Sequence, residues 1–367
     1  MIFRLLKGLL KIVAAVVFLL VGSAAIAIGS VEFFCRPAAT VTTTASPLPI
    51  DDANYRRTEA DTYFTFPEWY IVYSYEDFGR FLQTKSESEF PYLSQISGFW
   101  RSYCAANRIG AALPGDHFEY KEMIYVIGLS YTYEFGIKGM YENTIGRFTE
   151  WLRGPTKTSE DDYARVVVQD YGAFLNQIPW YEYPFMEKLR GLWSVTSLIG
   201  FSPVRSVERK LSLSAEYLVK AGYARAIAFA LAATSVPADL ELMFVVKGDP
   251  ARILANEPRV RLVRTLPDGN ALLLAPRYQE FTNLLKRLAE NGEEVIEIAG
   301  NRRILMSAIV QDDARPQIAG ARELFALPVD ARPGFVRIGY DLDVGELSHI
   351  PVAYKAAGIE VEHLYDY

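Results

Sequence analysis

Three glutamates are the residues of this chain best placed to do chemistry. Glu119 and Glu122 stand one helical turn apart, and Glu134 sits in the mostly apolar stretch SYTYEFG. A carboxylate held away from water has a raised pKa and can act as a general acid or base near neutral pH. The competing outcome is plainer: Glu134 pairs with Lys138 four residues on, and Glu119 and Glu122 stay in solvent. Beyond these carboxylates there is no G-x-S-x-G elbow, phosphate-binding glycine loop, G-x-G-x-x-G, H-E-x-x-H or C-x-x-C. Only three histidines occur. His117 falls in the first turn of a predicted helix, His349 beside Pro351 in a turn, and His363 half-buried on the apolar face of a final strand. That scatter predicts no metal site, and no cofactor is expected. Cys35 and Cys104 read as two separate structural thiols, neither a disulfide framework nor a metal pair.

The second group of candidates is aromatic. FTFPEWYIVYSYEDFGRF runs from Phe64 to Phe81 in a chain holding 23 Tyr and 21 Phe. Ile71, Tyr75, Phe78 and Leu82 recur at helical spacing, the buried stripe of an amphipathic helix. Thr65 and Glu68 form a capping box that would start it, with Pro67 in its first turn. Trp69, Tyr70 and Tyr73 lie off the stripe. Together with Trp180 and Tyr181 of the loop PWYEYPF, they are the candidate binding surface.

These residues need elements to position them. Helical periodicity continues through Ser94–Leu113 and then into a long helix opening near Asp116. On that helix Gly128, Thr132, Gly136, Gly139, Asn143 and Gly146 share one side. Glycine costs about 1 kcal/mol in a helix interior, so such a stripe implies close approach of another backbone or side chain. After Pro237 short β-branched and leucine-rich runs take over. LPDGNA and AGNRR read as hairpin turns, and PRYQEFTNLLKRLAENG as a helix. The order of strands and helices predicts a ferredoxin-like α+β sandwich. AAGIEVEHLYDY, about a dozen residues at the end, resembles the helix-to-last-strand passage of ACT-type regulatory modules. The fold class expected is therefore α+β: anchor 1–34, flexible linker 35–62, α-helical domain 63–238, ferredoxin-like domain 239–367.

The anchor is expected from Ile12–Val31, twenty residues without a charge, preceded by Arg4, Lys7 and Lys11; the rival reading is a signal peptide cleaved after the small-x-small site Ala25-Ile26-Ala27, against which the apolar run is long. The positive-inside bias puts the N-terminus in the cytoplasm and the bulk outside, as a single-pass protein of the inner membrane. Leu192–Val204 and Ala226–Ala238 are too short to cross and read as core or interfacial segments. Gly191–Ala230 carries five basic and two acidic residues within a chain of net charge −6, which suits a membrane-facing surface. An acidic chain without a basic stripe excludes a nucleic-acid binder. The expected function is a membrane-anchored, extracytoplasmic protein binding a partner or a small or lipidic ligand. The expected partners are the membrane and another membrane or envelope protein. Two alternatives are an enzyme at the membrane surface using Glu119, Glu122 or Glu134, and a ligand sensor built on the C-terminal module.

Overall fold

The computed structural model describes residues 2–37, 49–50, 52–196, 201–231, 240–315 and 320–366, with side chains omitted at some positions of the first helix. The chain is α+β, with a run of helices followed by two four-stranded antiparallel sheets. The helices are α1 (Ile2–Phe34), α2 (Asp61–Phe81), α3 (Tyr92–Gly110) and α4 (Phe118–Tyr141), the last running through a π turn (Glu142–Gly146) into α5 (Arg147–Arg153). Then come α6 (Ser159–Leu175), α7 (Phe185–Val195) and α8 (Pro203–Leu231).

The expected anchor Ile12–Val31 lies within α1, where most side chains up to residue 20 are outside the described residues. Among the described residues no helix is long and apolar enough to cross a membrane. The junction after α1 is not loose. Cys35 and Cys104 form a disulfide that ties the end of α1 to α3. This corrects the reading of two separate thiols, because the two ends of a 69-residue separation are brought together by packing that spacing alone does not reveal. Asn107 donates to the Cys35 carbonyl at 2.9 Å, and Lys121 on α4 pairs with Glu32 on α1 at 2.6 Å. Much of the expected linker, residues 38–48, lies outside the described residues. Its far end is packed: Ile50 is buried on a sheet, and its N–H donates to Glu297.

α2 begins at Asp61, four residues before the expected capping box, with Thr58 bonded to the Asp61 carboxylate; Pro67 therefore sits inside the second turn. It is buried almost all round. One face carries the expected stripe of Tyr75, Phe78 and Leu82; the other carries Tyr63, Phe66, Trp69, Tyr70 and Tyr73. A helix apolar on every side belongs in the middle of a core. α6 crosses α2 where two glycines allow it: a Cβ on Gly172 would stand 3.2 Å from the Glu76 backbone, and one on Gly79 3.1 Å from the Gln169 backbone. Two glycines of the expected stripe, Gly128 and Gly139, serve α3, whereas Gly136 faces open space. A Cβ at Gly128 would strike the Phe99 ring at 2.2 Å, and one at Gly139 the Tyr92 side chain at 2.8 Å.

The first sheet joins β1 (Glu241–Val246), β2 (Arg261–Thr265), β3 (Ala271–Pro276) and β4 (Val295–Ile298) in the order β2-β3-β1-β4. α9 (Ala251–Asn256) connects β1 to β2, and α10 (Gln279–Glu290) connects β3 to β4. The second sheet joins β5 (Arg303–Gln311), β6 (Ala321–Pro328), β7 (Phe335–Asp343) and β8 (Glu360–Tyr365) in the equivalent order β6-β7-β5-β8, with α11 (Ile350–Ala356) before β8. Where one sandwich was expected there are two sheets. AGNRR is not a hairpin: with Ala299 and Gly300 both at positive φ, it passes the chain from one sheet to the other.

Side chains alternate by strand period 2, and this sets the layers. Leu242, Phe244 and Val246 of β1 face a shared core with α10, α11 and the second sheet, while Met243 and Val245 face Ile50. On β5, Ile304, Met306, Ala308 and Val310 enter the shared core, while Leu305 turns to the α2 side. The second sheet is thus covered on both faces, by α10 and α11 on one and by α2 and α3 on the other.

Candidate functional site

The predicted aromatic surface is not a surface. Trp69, Tyr70 and Tyr73 are each at most 4% exposed, filling the seam between α2 and the second sheet. Trp69 lies against the His363 ring at a centroid distance of 3.7 Å, and the Tyr73 hydroxyl meets that of Tyr365 at 3.2 Å. His363 is fully buried, not half-buried, and burial, helped by nearby Lys286, pushes its pKa well below the ordinary value, so it is neutral. Arg337 completes the seam, with its guanidinium bidentate on Glu362 at 2.7 and 2.8 Å and 4.4 Å from the Tyr73 ring centre. Rings expected to touch a partner instead order a helix on a sheet, because the second sheet needed a cover that the sequence did not reveal. Trp180 and Tyr181 are half-buried at the start of the loop before α7, Trp180 packing 5.1 Å from Tyr223. They are not brought together with Trp69.

Of the three glutamates, Glu119 and Glu122 are exposed on α4 and gather no catalytic neighbours. Glu134 is different. It accepts a hydrogen bond from Tyr75 at 2.5 Å and pairs with Lys220 of α8 at 2.8 Å, so its expected partner Lys138 is replaced by a long-range one. Lys138 turns to Glu216 at 3.0 Å and Glu87 at 3.5 Å. From there an unbroken chain of alternating charge runs through the helices. Lys220 also reaches Glu216 at 3.1 Å, Glu87 reaches Arg209 at 2.6 Å, and Arg209 donates twice to Glu142 of the π turn, at 2.9 and 3.1 Å. Arg205, one turn away, spends its guanidinium on Asp161, Glu150, Glu208, Thr149 and the Gly146 carbonyl.

Charges buried this deeply are tolerable only when paired, and the pairing sets their protonation. Burial alone would strip the proton from Lys220; Glu134 and Glu216 overcome it and hold the amine well above its ordinary pKa. Burial would likewise raise Glu216, but Lys138 and Lys220 hold it far below the usual carboxylate range. A lysine locked in its charged form is neither a base nor a carbonyl nucleophile. Glu142 is the exception. Burial raises it to about 8 despite Arg209, and its Oε2 has no hydrogen-bond partner among the described residues. Gly146 makes room for that carboxylate: a Cβ there would lie 2.3 Å from Oε2.

Beside this chain lies a small pocket of about 20 Å³, room for about one water. Tyr75, Tyr171, Phe185 and Tyr217 wall it, and Glu134, Lys138, Glu216 and Lys220 lie along it. The Lys220 ammonium sits 5.2, 5.1 and 5.7 Å from the ring centres of Tyr75, Tyr171 and Phe185. The lining combines aromatic rings with a few convergent charges, as small-molecule sites do, but it is closed by its own side chains: Tyr75, Tyr171, Phe185 and Tyr217 are each at most 7% exposed. Apart from Glu134 and Tyr75 none of it was read from the sequence, although a signal exists. Arg205, Arg209, Glu216 and Lys220 fall at i, i+4, i+11 and i+15, one face of α8, opposite Val204, Val207, Leu211 and Leu218. Among the described residues no group of three or more His, Cys, Asp or Glu could hold a metal ion. Comparison with family models, with curated proteins and with solved structures finds no match to this chain.

Proposed function

We propose that this is a membrane-attached, extracytoplasmic binding protein in which α1 is the anchor and the aromatic pocket beside Lys220 takes a small or lipidic ligand. The observation that carries the reading is the Cys35–Cys104 disulfide, placed one residue after α1. Disulfides persist in oxidising compartments and are rare in the cytosol, so a disulfide at this position supports an exported body next to an apolar N-terminal helix. The charge pattern of the first eleven residues supports the same orientation. Each sheet has the strand order of a ferredoxin-like unit, which supports reading the C-terminal half as two such units, the second without a helix after its first strand. A regulatory-sensor role for that half is less well supported, because the second sheet is packed on both faces. A ligand with an apolar body would have to part the rings of Tyr75, Tyr171 and Phe185, which pack on one another, to place a polar head on the charge chain.

The test uses the full chain in a bacterial host, with a periplasm-active reporter after Tyr367 and thiol trapping before lysis. The expected result is membrane-bound protein, an active reporter, and Cys35 and Cys104 shielded from alkylation until reduced. A reporter active only in the cytoplasmic version, with both thiols free, overturns the placement.

A further inference from the structure

We infer that the outer flank formed by α4, the π turn, α5 and α8 is a lipid-contacting face, lying among acyl chains alongside α1. The inference rests on the reading of α1 as a membrane segment and extends it from an anchor to the folded body. Its first support is the polarity of the opening turns of α8 (203–211), which are turned inside out; farther along, the helix buries Leu213, Tyr217, Ala221 and Ala224 and exposes Arg225. Arg205, Arg209 and Lys210 are at most 2% exposed, whereas Val204, Leu211 and Val219 are 55, 62 and 72% exposed. In water this arrangement wastes both the charges and the aliphatic side chains. Against hydrocarbon it is the favourable one, with apolar groups outward and ionisable groups turned in and paired. On α5, Thr149 is buried while Phe148, Trp151 and Leu152 are exposed, with Arg147 exposed beside them.

The second support is continuity. α1 runs antiparallel to α4, joined by Ser23 to the Tyr133 hydroxyl at 2.8 Å and by Glu32 to Lys121 at 2.6 Å. Going back along α1 therefore means going forward along α4, so Ile137 and Met140 of α4 continue past the level of Ser23. Phe18, Val21 and Ile26 of α1 are exposed as these are. If α1 is in the bilayer, the neighbouring flank of α4 is at the same depth. Trp151 at 74% and Trp193 at 46% exposure add the amphipathic rings that suit a membrane–water boundary. Apolar side chains are exposed along this flank, interrupted at the π turn and the start of α5 by exposed Asn143, Thr144 and Arg147, and clustered exposed apolar groups mark an interaction surface. The occupant is the bilayer, and not a second protein, because the apolar flank is continuous with the apolar helix that enters it.

The test reconstitutes the full chain in vesicles of phosphatidylethanolamine and phosphatidylglycerol whose acyl chains carry nitroxide quenchers. A thiol-reactive fluorophore is placed singly through Phe148→Cys, Leu211→Cys, Val21→Cys and, on the distant β2–β3 turn, Asp268→Cys. All four positions are exposed, so the substitutions leave the packing intact. The expected result is strong acyl-chain quenching at positions 21, 148 and 211, and quenching by aqueous iodide alone at 268. Quenching at 21 with iodide access at 148 and 211 overturns the lipid face and leaves the anchor standing. Positions 148 and 211 shielded from both quenchers also overturn it, since a protein then covers the flank. Iodide access at 21 as well sinks the membrane reading itself.

Discussion

α8 and α10 are helices of one chain with opposite insides. α10 buries Phe281, Leu284, Leu285 and Leu288 against the two sheets and turns Glu280, Arg287 and Glu290 outward, where Arg287 and Glu290 reach Glu257 and Lys355. α8 buries Arg205, Arg209 and Lys210 in its opening turns and points Val204, Val207 and Leu211 outward, although farther along it also buries Leu213, Tyr217, Ala221 and Ala224. Apolar content does not separate them. What differs is which side holds the charge, and so which solvent the outer side is built to meet. The interior follows from that choice. A helix with an apolar outer face has its polar residues left for the inside, where most are held by pairing and Glu142 by a raised pKa.

The sharpest way to break this contrast is to remove a cation from each helix. Arg209→Met takes the nearest counter-charge from buried Glu87 and both hydrogen bonds from buried Glu142, and should cost about 3–5 kcal/mol in denaturant unfolding of the full chain in detergent. Arg287→Met loses a partly exposed pair and should cost less than about 1 kcal/mol. Equal, small losses would mean that the charge chain of α8 is wet and that the two helices are alike after all. The converse comparison uses leucines. Leu284→Ala should cost about 2–5 kcal/mol, because it opens a cavity in the shared core. Leu211→Ala, on the exposed side of α8, should stay within about 0.5 kcal/mol in the same measurement. A large loss at Leu211 would place that residue in a protein core.

A smaller effect comes from the seam between α2 and the second sheet, another place where charge is buried. Asp77 is 2% exposed, and burial holds its pKa up at about 6 even though Arg337 and Arg80 are close. The folded state therefore binds a proton that the unfolded chain gives up from about pH 4. The stability this group contributes is complete below that point and is lost as pH rises through about 6. At about 1.4 kcal/mol per pKa unit, the change is about 2–3 kcal/mol. Thermal unfolding of Asp77→Asn and wild type across this range should show the variant gaining relative to wild type up to pH 6 and holding constant above. A difference independent of pH would mean the carboxylate is already ionised at low pH, held by its arginines as firmly as the charges around α8.

Local structure was the legible part of the fold. The strand runs, the turn at LPDGNA, the helix α10 and the α3-facing glycines of α4 all follow from residues within one or two turns of each other. What did not follow was anything made by distant residues. Lys138 lies four residues from Glu134, and a local rule pairs them; the fold instead brings Lys220 and Glu216, about eighty residues away, between the two. Cys35 and Cys104 failed for the same reason. Trp69, Tyr70 and Tyr73 were misjudged because a helix stripe describes one packed face, and α2 has two. The repetition of strand order in the two sheets left no trace in composition, since the fold repeats hydrogen-bond topology and not residue identity.

The disulfide also closes a ring. The chain leaves α1 at Cys35, passes residues 36–60, forms the whole of α2, turns, and comes back to Cys104 on α3. The central helix of the helical half is thus held inside a covalent circuit fastened to the base of α1. A single protease cut anywhere between residues 36 and 103 would open that circuit without releasing the body from α1. Shedding would need either a second cut or a reductant.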